Sequence, residues 1–161
     1  WPVLVCVLGL GLVAAALSAW KADKGYYRPT QQAAQAIVQE WSARHPGQTL
    51  GWVGGDWAEN AMLAFYAQPH LRTVPGMPDS YPATLAGIGA WQQRHGLLLC
   101  PLGVLTAQRP TACETEAMAW LEAHGWSATP QVLTIQRSGW RFPKPMDFRY
   151  AVFDVPASQQ P

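Results

Sequence analysis

LGWVGGDWAENAMLAFYA, residues 50–67, decides the fold. Its first half is a short apolar run, LGWVG, of the length and composition of a buried strand. Gly54-Gly55 then turns the chain. Asp56 with Glu59 forms an Asp-x-x-Glu capping box, in which the first side chain binds the amide of the second and the second reaches back. The helix so opened is expected to bury Ala58, Ala61, Met62 and Phe65. A strand feeding directly into a capped helix is the unit of an α/β fold.

The flanking sequence repeats the alternation. From Thr30 to His45, Ala34, Ile37, Val38 and Trp41 fall on one helical face, with Thr30 as N-cap and Pro46-Gly47 as terminator. Beyond a Pro/Gly-rich stretch, Pro82 to His95 is predicted to be a helix with Leu85, Ile88 and Trp91 inward, although Gly87 and Gly89 weaken it. LLLC (97–100) is a buried strand. Thr111 and Glu114 form a second capping box, and Gly125 closes that helix as its C′ residue. Val132–Gln136 and Phe148–Val155 are two further strands, the last with Phe148, Tyr150 and Val152 on one face. Their Pro143/Pro145 connection suits an antiparallel hairpin at a sheet edge. The expectation is α/β: one three-layer-like domain with a mostly parallel or mixed sheet and packed helices.

The first twenty residues belong to another solvent. WPVLVCVLGLGLVAAALSAW carries no charge, although the 161-residue chain has 11 Lys+Arg and 10 Asp+Glu. At about 1.5 Å per residue such a helix spans the hydrocarbon core, about 30 Å thick. Trp1 and Trp20 stand at its ends, where indole rings favour the interface. A buried core helix and a secretory signal are the competing readings; the run lacks the basic leader of a signal. Residues 1–20 are therefore read as a transmembrane helix, the last of several in a longer parent chain, since no Met opens the sequence. Residues 21–156 are read as a soluble extracytoplasmic domain and 157–161 as a frayed tail. Charged residues make up 13% of the chain and hydrophobic ones 49%, which excludes a disordered chain. The net charge of +1 excludes a polybasic nucleic-acid module.

Candidate site residues are few. Cys100 and Cys113 suit a disulfide closing a short loop, which favours the oxidising side of the membrane; two buried thiols or a metal pair are the alternatives. Cys6 lies within the apolar run. His45, His95 and His124 fall at expected helix ends, where positive charge complements the dipole, and with His70 they follow no metal-ligand or nucleophile spacing. The sequence points to no metal site and no cofactor within the chain. Gly54 and Gly55, between strand and helix, are either a tight turn or backbone amides for an anion. Arg137, Arg141, Lys144 and Arg149 make the C-terminal region basic, suited to lipid phosphate or to plain surface charge. Trp52, Trp57, Trp91, Trp120, Trp126 and Trp140 are either core or an interfacial belt facing the membrane.

YYRP (26–29) after the apolar run, the 50–67 stretch, GLLLCP (96–101), Cys113 and FRYAVFDVP (148–156) together resemble one family. It is the C-terminal extracytoplasmic domain, with the last transmembrane helix, of bacterial family-39 glycosyltransferases, which are similar to dolichyl-phosphate-mannose–protein mannosyltransferases. The resemblance covers residues 20–156. Members often carry Asp-Arg-Pro after the Phe-Tyr helix, where this chain has Ala67-Gln68-Pro69-His70-Leu71-Arg72, and Pro-Trp where it has Tyr81-Pro82. The resemblance implies an inner-membrane transferase drawing sugar from a polyprenyl-phosphate donor, with this domain on the periplasmic side. Its implied partners are the bilayer, the transmembrane catalytic region, the polyprenyl-phosphate sugar and a lipid or protein acceptor, with no nucleic acid. The family's catalytic carboxylate lies in an earlier loop, so no catalytic residue transfers onto residues 1–161. The expected role is an accessory domain that covers the active-site cavity or aids acceptor recognition. The alternatives are a single-span membrane-anchored periplasmic binding or interaction module, and a free-standing enzyme with its pocket at the sheet's C-terminal edge.

Overall fold

A five-stranded mixed sheet organises the domain, in the order β2-β1-β3-β5-β4. The computed structural model describes residues 1–23, 28–67, 71–80, 93–102, 110–137 and 145–157. Its elements are α1 (Pro2–Asp23), α2 (Thr30–Arg44), β1 (Leu50–Gly55), α3 (Trp57–Tyr66) and β2 (Arg72–Thr73). A 3-10 turn (Pro78–Ser80), β3 (His95–Leu102), α4 (Ala112–Ala123), β4 (Gln131–Arg137) and β5 (Met146–Val155) follow. β1 runs parallel to β2 and β3, whereas β5 is antiparallel to both β3 and β4. The mixed sheet and the edge hairpin agree with the sequence reading.

α1 is a 22-residue helix that is long and apolar enough to cross a membrane, and none of its apolar span is buried. A soluble core helix would be covered by its own domain. That is the feature consistent with a membrane anchor.

Two cores lie on the two faces of the sheet. On one face, Ala33, Ala34, Ile37 and Trp41 of α2 and Met62 and Leu63 of α3 meet Leu97, Leu99, Tyr150 and Val152. On the other, Ala117, Trp120 and Leu121 of α4 meet Trp52, Leu98, Phe153 and Val155. β5 feeds both, because successive side chains point to opposite faces: Phe148, Tyr150 and Val152 enter the first core and Ala151, Phe153 and Val155 the second. Trp52 packs so closely that a Cβ on Gly96 would sit 2.0 Å from its ring. The Cys100–Cys113 disulfide, with Cα atoms 5.6 Å apart, staples α4 to β3.

Several local expectations are corrected. α2 begins behind Pro29, not behind a Thr30 cap: Pro29 is the N-cap residue, its carbonyl accepts from Ala33, and Thr30 is already helical. His95 opens β3 instead of ending a helix, because the chain there aligns with Leu50 of β1. Gln93 and Arg94 form a turn before β3, and residues 82–92 of the helix expected there, with Trp91, lie outside the described residues. So do Tyr26, Tyr27, His70, Trp140 and the tail from 158 onward. α3 buries Glu59, Asn60, Met62 and Leu63, and exposes Trp57, Ala58, Ala61 and Phe65; of the four residues expected inside, only Met62 is. Asp56 does cap α3, accepting from Ala58 and Glu59 amides, but Glu59 does not reach back.

Candidate functional site

The described residues concentrate buried charge where the chain enters the domain. Arg28 stands five residues beyond the last residue of α1, and its guanidinium donates to the carboxylate of Glu59 in the first turn of α3. Glu59 is 2% exposed. A carboxylate at that depth needs a partner, since burial of an unpaired charge costs several kcal/mol or more. Burial holds its carboxyl above the ordinary value near 4.5; Arg28 opposes that shift and Asp56 adds to it. Behind the pair, burial pushes the Tyr150 hydroxyl well above the phenol range, and the Glu59 charge pushes the same way.

Asn60, the next residue, is buried as well. Its side-chain amide donates to the carbonyls of Val74 (3.1 Å) and Gly55 (3.4 Å), tying α3 to the segment that follows β2. The polar side of α3 thus works inside the protein.

Beside the ion pair an open pocket of about 340 Å³ is lined by Arg28, Pro29, Thr30, Gln31, Gln35 and Arg137, among others. It sits at the N-terminus of α2, where Pro29 supplies no side-chain cap. The N-terminal turn of α2, the positive end of its dipole, therefore borders the same space as Arg28 and Arg137. Arg137 is buried, with its guanidinium carbon 5.9 Å from the centre of the Phe148 ring, a cation–π placement. The chemistry on offer is recognition of an anion by charge and hydrogen bonding.

The basic C-terminal cluster expected from sequence does not converge among the described residues. Arg137 shares its sheet face with Ile135 and the first core, whereas Arg149 lies between Phe148 and Tyr150 and points to the opposite face. Arg141 and Lys144 lie outside the described residues. Gly54 and Gly55 are the last two residues of β1, and the bend follows them at Asp56. The Gly55 amide donates to the Gly76 carbonyl (2.9 Å) and the Asp56 amide to that of Leu99 (2.9 Å), so neither is left for an anion. Gly55 has φ +99°, and a Cβ there would sit 2.5 Å from the Leu99 carbonyl oxygen. Trp52 and Trp120 are core residues, whereas Trp57 is 71% exposed.

Sequence reasoning missed Arg28 and Glu59 as a pair. Glu59 was accounted for by capping, and Arg28 has no local partner; 31 residues separate them. A second polar cluster, also invisible locally, closes the other end of α2: Arg44 pairs with Asp154, and His45 Nε2 lies 3.2 Å from the same carboxylate. Among the described residues, no group of three or more His, Cys, Asp or Glu is placed to hold a metal ion.

Family models, curated proteins and solved structures yield no match to this chain. The site must be read from its own residues.

Proposed function

We propose that the chain is a membrane-anchored extracytoplasmic domain that assists an integral-membrane glycosyltransferase using a polyprenyl-phosphate-linked sugar, covering its active-site cavity or aiding acceptor recognition. The observation that carries the anchored, extracytoplasmic part is the pairing of an unburied apolar α1 with a disulfide-stapled domain. Disulfides persist on the oxidising side of a membrane. The glycosyltransferase part rests on the resemblance over residues 20–156. The pocket at the start of α2 supports it: a helix N-terminus bordered by Arg28 and Arg137 suits a phosphate carried by a lipid.

A second reading is favoured by the outer surface of α3. Trp57 and Phe65, 71% and 80% exposed, give the domain a docking face that requires no catalytic neighbour. A single-span anchored interaction module would use such a face alone.

The test is the natural gene product, tagged after Pro161 and recovered from membranes. A product several times longer than this chain and resistant to carbonate is the expected result. Removing the segment from Arg28 to Ala157 from that product should then change acceptor choice or transfer rate. A membrane product of nearly this chain's size would favour the interaction module, and unchanged transfer would end the assisting role.

A further inference from the structure

α3 is built inside out. Glu59 is its only charged residue, and Glu59 and Asn60 are turned into the protein. At 3.6 residues per turn, Trp57, Ala61 and Phe65 stack along the outer side, flanked by Ala58 and Ala64. That arc carries no polar side chain, and Tyr66 extends it by packing edge-on to Phe65 at 4.8 Å. A water-facing helix shows the reverse pattern. Two aromatic rings this exposed, on a helix that turns its Glu59 and Asn60 side chains inward, mark a surface made for something other than water.

The chain itself identifies the occupant. Only residues 24–27 separate α1 from Arg28, so the Arg28 backbone lies within about 18 Å of the end of α1. Arg28 is fastened to Glu59, two residues along α3 from Trp57. The apolar face therefore lies on a helix that is held to the chain a short tether's length from α1. Its Trp-Phe-Tyr composition is that of the bilayer interface, where rings sit at headgroup level.

Building on the membrane-anchor reading above, we propose that the outer face of α3, through Trp57, Ala61, Phe65 and Tyr66, rests in the lipid interface and lays the domain down on the membrane. The Arg28–Glu59 pair is the hinge pin that fixes this orientation relative to α1. α4, on the opposite face of the sheet, then faces away from the bilayer.

The full chain with Cys6→Ser, carrying a nitroxide at Ala61→Cys, is reconstituted in phosphatidylcholine/phosphatidylglycerol nanodiscs; the comparison probe is Glu116→Cys on the exposed side of α4. Collisions with oxygen, which partitions into lipid, are compared with those of a water-soluble nickel chelate. The expected oxygen-to-nickel ratio at position 61 is at least about threefold that at position 116, as for an interfacial helix. Adding Trp57→Ser and Phe65→Ser should lower it toward the control, while the urea midpoint and the Cys100–Cys113 bond stay unchanged. A ratio at position 61 equal to the control, or suppression of both collisions by a covering protein, overturns the proposal. A chain that never enters the nanodisc overturns the anchor reading with it; a chain that inserts with position 61 in water overturns the docking face alone.

Discussion

α3 and α4 start from the same motif and end as opposites. Each opens on a capping side chain followed three residues later by glutamate, Asp56/Glu59 and Thr111/Glu114. In α4 the box closes: the Thr111 hydroxyl accepts from the Glu114 amide, and the Glu114 carboxylate accepts from the Thr111 amide at 2.7 Å. Glu116 and Glu122 face solvent, and Ala117, Trp120 and Leu121 face the sheet. In α3 the first half forms and the second does not, because Arg28 draws Glu59 inward. A capping motif places a helix start; which way its glutamate points depends on the partner the rest of the fold supplies.

The largest effect that would test this contrast lies in what holds α4. Cys113→Ser should cost about 3 kcal/mol by urea unfolding, as for a loop of this length, and the loss should match that of reducing the parent protein. An unchanged midpoint would mean that α4 is held by its core contacts alone. Next is the turn into α3. Gly55→Ala combines a positive φ with a backbone clash and should cost about 2 kcal/mol, whereas Gly125→Ala, at a similar φ but in open space, should cost less.

The two caps come third. Asp56→Ala and Thr111→Ala should each lose about 1 kcal/mol in thermal or urea unfolding, since each removes an acceptor from first-turn amides. A much smaller loss at Asp56 would mean that the buried Glu59 and Asn60 hold the start of α3 without it.

The sharpest contrast is in pH dependence, although its size is the smallest. The folded protein holds the Glu59 carboxyl above its ordinary value, so the stability this group contributes is complete below about pH 4.5 and is lost as pH rises through the raised value. Glu59→Gln has no such loss, so its midpoint should gain on the parent's as pH climbs from 4 to 7. Arg28→Ala should do the reverse and fall further behind as pH rises, because an ionised Glu59 is then buried without its partner. Parallel profiles for both variants would remove Glu59 as a buried charge of the domain.

Much of the fold was legible wherever local geometry writes itself into composition. LGWVGG is buried at all six positions as a parallel strand requires. The end of α4 was readable from Gly125, and it closes as a Schellman motif: Gly125 donates to Glu122 at 3.0 Å and Trp126 to Leu121 at 3.0 Å. The alternation in β5 placed Phe148, Tyr150 and Val152 on one face, and all three enter the first core. The candidate site was less legible. Arg137 and Arg149 look equivalent in a basic stretch, yet strand parity sends them to opposite faces of the sheet. Arg28 stands after a tether, and nothing nearby in sequence names its carboxylate.

By itself the sequence determined the apolar helix, the α/β alternation and the Asp56 and Thr111 caps, because each follows from a few neighbouring residues and their own backbone preferences. Only the tertiary structure decided which side of α3 is inside. Hydrophobic periodicity assigns apolar residues to the core, and on that ground Phe65 belongs within and Glu59 without. The fold reversed them, because Arg28 and the Val74 and Gly55 carbonyls meet polar groups of α3 internally, and among the described residues no helix or strand covers the aromatic side. A buried polar group is stable only where its partner is, and that partner comes from far along the chain.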